Sequence, residues 1–249
     1  MNWIADQPDS TLQEMSDRFE VEYGMRVLVS TLDDWLRPTR SAIKKTATAT
    51  EQGRSDVQAA RAVWRKRQAW LKSHPEKLGS IVIIDETSLS TKMTRLRARA
   101  KKGDRLVASV PLGHWKTLTF IAGLRRDGVT APWVIDGAMD GPAFLAHIST
   151  QLARALQKGD VVIMDSLATN KMAAAKKAIK ERGAWPLFLP PYSPDFNPIE
   201  LAFSKLKAHL KRLAPSTIEA LCKDTGQILY MFRKQERQNY FAVDGYAPE

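Results

Sequence analysis

The spacing of apolar residues changes period along the chain. Over residues 11–23 (TLQEMSDRFEVEY), Leu12, Met15, Phe19 and Tyr23 recur at helical spacing, predicting an amphipathic helix that Gly24 breaks. Ser30 or Thr31 is placed to cap a second short helix, which runs through Leu36 and ends before Pro38. Helix, short turn and second helix are the minimum of a helix-turn-helix unit. Residues 43–46 (IKKT) read as a short strand and TATATEQGRSD as a polar linker, after which Asp56 caps a helix from Val57 to Leu71.

From Ile81 onward, short apolar runs alternate with helical patterns, as in α/β or α+β architectures. The runs beginning at Ile81, Leu106, Thr117, Val161 and Leu187 read as five strands. Pro142–Leu156, Lys171–Arg182 and Pro198 to about Leu213 read as helices, and the remaining tail as mostly helical. The rigid segment Pro190-Pro191-Tyr192-Ser193-Pro194 separates the last strand from the third of these helices. This organisation divides the chain into a helix-turn-helix or winged-helix-like unit at 1–47, a basic linker and helix at 48–80, and a larger domain at 81–249.

Charge adds a partner to this picture. The 249 residues carry a formal net charge of +11, distributed unevenly. Residues 1–40 hold 4 basic and 8 acidic residues, whereas residues 41–105 hold 16 basic and 6 acidic. A solvated helix face explains most charge runs, but this concentration favours a surface that meets phosphates, with nucleic acid as the leading partner. The single cysteine, Cys222, excludes an internal disulfide and a cysteine-based zinc site, and the four histidines are widely scattered. No apolar run reaches the roughly 18 residues of a membrane span, so no membrane association is expected.

Candidate chemistry rests on three carboxylates. Two buried-type strands, IVIID and VVIMD, end in Asp85 and Asp165. Ligand sites in open α/β sheets lie beyond the carboxyl ends of strands, and two rigidly held carboxylates suit Mg²⁺. Asp at a strand end also commonly caps a turn. The third candidate, Glu200, sits in Asn197-Pro198-Ile199-Glu200, where Asn197 suits an N-cap, Pro198 the first helical position and Glu200 the capping-box position. Spacing alone does not choose between cap and ligand.

The strings MDSLATNK (164–171) and PLFLPPYSPDFNPIE (186–200) resemble the DDE transposases of the mariner superfamily, in particular their bacterial insertion-sequence branch. DETSLSTKMTR (85–95), HWKTLTFIAGLR (114–125) and VIDGAMDG (134–141) are similar to the same branch. The resemblance runs from about Arg54 to the C-terminus, and PPYSPDFNPIE is its most specific piece. It implies a ribonuclease H-like fold, a mixed five-stranded sheet with helices on both faces. It also implies a catalytic, metal-binding triad of Asp85, Asp165 and Glu200, with the 34 residues between the last two matching the family spacing. The cofactor implied is Mg²⁺, with Mn²⁺ as a substitute and two ions in the site.

The activity implied is nicking at transposon ends, followed by attack of the freed 3′-OH on target DNA. The partner is then double-stranded DNA, both transposon ends and target. A homodimer is expected in the active complex, because two ends must be paired. The location implied is the bacterial cytoplasm, associated with the nucleoid. Lys44, Lys45, Arg61, Arg65, Arg95, Arg97, Arg99, Lys101 and Lys102 are the candidate phosphate contacts, which would position DNA without reading its sequence.

The sequence departs from the family pattern at Ser166 and Asn170, where the family carries Asn and His. Its acidic head reads as one helix-turn-helix where family members carry two. Two alternatives therefore stand beside the transposase: a weak or inactive, truncated DNA-binding remnant, and a ribonuclease H-like nuclease without strand transfer.

Overall fold

The computed structural model describes residues 11–36, 50–95, 107, 115–165 and 172–247. The chain divides into two compact units, Met1–Thr48 and Ala49–Glu249. In the first, helix α1 spans Leu12–Tyr23 and α2 spans Val29–Leu36. Thr11 and Glu14 close a reciprocal capping box at the start of α1, and Gly24 ends the helix in the left-handed conformation at φ 68°. Met15, Phe19 and Leu32 are the buried apolar side chains of the pair. Ser30 and Thr31 lie inside the first turn of α2 rather than ahead of it. The expected strand at 43–46 falls outside the described residues.

The second unit opens with α3, Ser55–Ser73. Arg54 occupies the cap position, and Asp56, expected to be the cap, lies one step into the helix. There its carboxylate pairs with Arg54 at 2.8 Å and complements the positive end of the helix. A tight turn, Pro75–Ser80, leads into strand β1, Ile81–Ser90. Strands β2 (Thr117–Leu124), β3 (Val129–Asp136), β4 (Val161–Met164) and β5 (Trp185–Phe188) complete one sheet in the order β3-β2-β1-β4-β5. β1, β4 and β5 run parallel, while β2 and β3 are antiparallel to their neighbours.

Five strands were expected and five are described, but the sets differ. The strand expected at Leu106–Val110 lies outside the described residues except for Val107, which belongs to no strand. The unforeseen strand is β3, whose sequence VTAPWVID is interrupted by Pro132. A proline cannot donate to a ladder and so argues against a central strand, but β3 is an edge strand, where it is tolerated. A register irregularity opposite Ile121–Gly123 accompanies it, and Ala131 adopts φ 48° there.

Side-chain alternation along the central strands builds two cores. Ile81, Ile83, Phe120, Leu124 and Ile163 face Trp64 of α3 and three further helices, α6 (Ile199–Leu213), α7 (Ile218–Tyr230) and α8 (Lys234–Val243). Val82, Ile84, Ile121, Val162 and Met164 face the opposite layer. That layer comprises α4 (Gly141–His147), its continuation through a π-helical turn at Ile148–Leu152 and Ala153–Ala155, and α5 (Met172–Glu181). The near-continuous apolar runs of β1 and β4 are thus explained by burial on both faces.

At the N-terminal end of β4, Arg125 and Asp160 form a buried two-point pair, with Nη1–Oδ1 at 3.2 Å and Nη2–Oδ2 at 2.5 Å. The same carboxylate accepts the Gln157 N–H, and Arg125 also reaches the Ala155 carbonyl. This brace ties the end of β2 to the turn that starts β4. Truncating Asp160 leaves a buried guanidinium unpaired, so Asp160→Ala is expected to lose about 3–5 kcal/mol in urea unfolding. A loss below about 1 kcal/mol would show that the brace is dispensable.

Candidate active site

The parallel register of β1 and β4 pairs Ile84 with Met164, which sets Asp85 and Asp165 at the next step along adjacent strands. β4 stops at Met164, whereas β1 continues to Ser90 in its ladder with β2. Asp85 is therefore interior to β1, and only on the β4 side does it stand at a strand end. That truncation opens a cleft of about 460 Å³, lined by Asp85, Glu86, Asp165, Asn197, Glu200 and the proline loop from Leu189 to Pro194. The three carboxylates singled out in the sequence thus line one cleft, joined by a fourth, Glu86.

Glu86 escaped the sequence reading because strand alternation places it on the sheet face opposite Asp85. β4 ends at Met164, and both residues reach the same opening. The signal was available in principle, since a carboxylate follows Asp85 directly while β4 stops just before Asp165.

Asn197 was read as a helix cap, and the structure corrects that reading. α6 starts at Ile199 with Pro198 in the cap position, and no side-chain cap bond is made. Asn197 Nδ2 instead donates to Asp85 Oδ2 at 2.7 Å, and the Glu86 N–H donates to Asp85 Oδ1 at 2.8 Å. Glu200 lies in the first turn of α6 with its side chain exposed.

Electrostatics within the cleft are repulsive. Burial pushes the Asp85 carboxyl up to about 7, opposed by the hydrogen bonds from Glu86 N–H and Asn197 and reinforced by the Glu86 and Glu200 charges. Burial likewise raises Glu86, with the Asp165 and Glu200 charges adding to the rise. Among the described residues that line the cleft there is no Lys, Arg or His. No group of three His, Cys, Asp or Glu among the described residues is disposed to grip one ion by itself. Mg²⁺, however, commonly takes one or two carboxylates and fills its remaining positions with waters and substrate phosphates. Hard oxygen donors, mutual repulsion and no cationic side chain among the described lining fit such an ion.

The proline loop is clamped from α3. Arg61, 7% exposed, donates Nη1 to Ser193 Oγ at 2.7 Å and to Asp195 Oδ1 at 2.9 Å, and Nη2 to Asp195 Oδ2 at 2.6 Å. Its guanidinium also lies 4.4 Å from the Phe196 ring centroid. Burial pushes Asp195 up, but the Arg61 hydrogen bonds and charge outweigh it and hold the carboxyl below its ordinary value. Gln52 donates to the Tyr192 carbonyl at 2.5 Å, and Tyr246 Oη donates to the Phe196 carbonyl at 2.7 Å. Tyr192 itself sits at φ 55°, a costly conformation for a bulky residue that these contacts help to hold.

Arg61, expected among the phosphate contacts, is therefore corrected to a structural clamp, because its guanidinium is buried and bound to Ser193 and Asp195. Arg65 and Arg95 are exposed. Lys44, Lys45, Arg97, Arg99, Lys101 and Lys102 lie outside the described residues, as do Ser166 and Asn170. Trp64 is core, hydrogen-bonded to Tyr246 Oη at 3.2 Å, while the half-exposed Trp70 stacks on His74. No helix among the described residues is long and apolar enough to cross a membrane.

Comparison with known proteins agrees with this architecture. The family profile described as DDE superfamily endonuclease matches residues 80–222. No curated protein sequence matches the chain. Among solved structures, the Mos1 transposase paired-end complex with left transposon end is similar at a TM-score of 0.66 and 15% identity, covering 99% of this chain and 78% of that one. The Mos1 mariner paired end complex with Mn gives 0.66 at 16% identity, covering 98% and 77%. The catalytic domain of Mos1 mariner transposase gives 0.51 at 11% identity, covering 81% and 93%. The fold of this chain is accordingly ribonuclease H-like, a mixed five-stranded sheet flanked by helices with a pair of helices ahead of it.

Two outcomes test the clamp. Asp195→Ala leaves Arg61 buried without its carboxylate. Because Asp195 is half exposed, the expected loss is about 2 kcal/mol, below the full cost of breaking a buried pair, measured by denaturant unfolding. Nearby, burial pushes Asp244 up to about 7, with the Asp195 charge adding to the rise. A carboxyl raised on folding stabilises the fold at low pH, and that contribution is lost as pH climbs from about 4 through 7. Asp244→Asn should therefore melt higher than wild type at pH 8, by roughly 2–4 °C for about 1 kcal/mol after discounting for solvent. The gap should close toward pH 4, and a gap that grows on acidification would reverse the assignment.

Proposed function

The chain is a member of the DDE superfamily of endonucleases, and from that membership we propose that it is a transposase of the bacterial insertion-sequence type. In this reading it cleaves DNA at transposon ends and transfers the freed 3′-OH into target DNA. Asp85, Asp165 and Glu200 are its catalytic and metal-binding residues. The observation that carries the reading is the meeting of these three side chains, from two parallel strands and one helix start, in a single cleft with no cationic side chain among its described lining.

Asp85 and Asp165, fixed by the β1–β4 register, and Glu200, at the start of α6, would hold Mg²⁺ or Mn²⁺. When bound, a pair of such ions activates the attacking oxygen and neutralises the leaving one in phosphodiester transfer. The remaining work belongs to the chain itself. Two carboxylates on core strands and one on a clamped helix give a fixed geometry, which an in-line displacement needs. The exposed Arg65 and Arg95, with Lys44, Lys45, Arg97, Arg99, Lys101 and Lys102, would contact phosphates and make binding steeply salt-dependent. The partners are double-stranded transposon ends and target DNA, engaged by a homodimer. Residues 1–47 serve as the DNA-binding unit, residues 48–80 as a basic linker and helix, and residues 81–249 as the catalytic domain.

A supercoiled-plasmid assay in Mg²⁺ or Mn²⁺ tests the proposal. Wild-type protein should nick the plasmid only with metal present, and Asp165→Ala should slow nicking by about two orders of magnitude or more. DNA binding without metal-dependent cleavage in the wild type would leave only the binding remnant. Nicking with no joined product from a pre-cleaved end would leave a nuclease without strand transfer.

A further inference from the structure

The residue that the sequence explains most simply is the one the structure uses differently. Asn197 precedes Pro198 at a helix start, yet its side chain caps nothing. The residue is 4% exposed, and the single side-chain hydrogen bond it makes among the described residues runs from Nδ2 to Asp85 Oδ2. The amide oxygen, Oδ1, is buried and has no hydrogen-bond partner among the described residues. A desolvated acceptor of this kind is costly unless something supplies a donor, and Asn197 forms part of the cleft wall.

Asp85 is therefore held at both oxygens, by Glu86 N–H at Oδ1 and by Asn197 Nδ2 at Oδ2. Each carboxylate oxygen carries two acceptor sites, so one on each remains for a cation. Two fixed donors suppress rotation of the carboxylate about its side-chain torsion. Without the Asn197 donor, repulsion from Glu86 and Glu200 would act on a carboxylate tethered at one oxygen only. Asn197 is itself immobile, because the loop leading to it is clamped by Arg61 through Ser193 and Asp195, and the Phe196 carbonyl by Tyr246.

We propose that Asn197 is a positioning residue for the divalent-cation site. It fixes the Asp85 carboxylate in the orientation that a cation needs, and its unpaired Oδ1 receives a donor that arrives with the cation or the nucleic acid. The inference rests on the reading of Asp85 as a metal ligand and goes beyond it by giving that ligand its partner. Side chains that orient a ligand typically change metal affinity by 10–100-fold when removed.

The test is Mn²⁺ titration of the full chain, read by the electron paramagnetic resonance signal of free ion, with metal-free thermal melts alongside. Asn197→Ala should weaken Mn²⁺ binding about tenfold or more. Asn197→Leu fills the same space without a donor, and it should show the same loss if the alanine variant folds poorly. Thr217→Ala removes the side-chain cap of α7, whose residues do not line the cleft, and should keep Mn²⁺ affinity within about twofold of wild type. Unchanged affinity in both Asn197 variants, or an equal loss in Thr217→Ala, would overturn the positioning role while leaving the metal site standing. Wild-type protein that takes up no Mn²⁺ would instead bring down the metal site, and this inference with it.

Discussion

Carboxylates repel one another and resist leaving water, and the cleft gathers four of them at the end of a strand pair. The hydrogen bonds to Asp85 from the Glu86 N–H and Asn197 offset that cost only in part. Burial, with the neighbouring carboxylate charges adding to it, pushes both Asp85 and Glu86 up. The two cores and the clamped loop hold these groups together against that repulsion. Ile81–Ile84 and Val161–Met164 are apolar on both faces, so the register that brings Asp85 level with Asp165 is fixed by two cores at once. A slip of one residue would turn each core set to the wrong face.

The third ligand candidate depends on a different constraint. Glu200 belongs to α6, which packs on the sheet through Phe203, Leu206 and Leu210, but its distance from Asp85 is governed by the loop before it. That loop contains three prolines and a tyrosine at positive φ, and it is gripped by a guanidinium from α3. Stiff backbone alone would leave the loop free to hinge at Ser193 and Asp195. The Arg61 clamp closes both positions, and the Phe196 ring stacks under the same charge. The basic helix ahead of the catalytic sheet is thus part of the site's support.

How much of this was legible in the sequence depended on whether a residue's role is set by its neighbours in the chain or across the fold. Asp85 and Asp165 were readable because an apolar run ending in a carboxylate marks a buried strand and its mouth. Glu200 needed the spacing and the motif, since its place at a helix start has a sufficient local explanation. Strand β3 was missed because Pro132 signals against a strand unless the strand is known to lie at an edge, which is a property of the whole sheet. Glu86 was missed because strict alternation assigns it to the other face, and only the early end of β4 cancels that rule. Asn197 was misread because Asn-Pro at a helix start is a sound local cap, and the competing partner lies 112 residues away in the chain.

Arg61 carries the same lesson into the reading of charge. Segment counting put it in a basic stretch and made it one of several equivalent phosphate contacts. Burial separates it from Arg65 on the same helix, because a guanidinium that is 7% exposed and bonded to a carboxylate is turned to the loop rather than presented to solvent. Arg65 is exposed and lies 5.8 Å from the Phe196 ring, so it keeps a face open beside the clamp. One turn of α3 thus presents one arginine inward to the loop that carries Asn197 toward Glu200 and another outward to solvent. A count of basic residues therefore overstates any track for DNA, and the inward arginine links the placement of α3 to the geometry of the carboxylates.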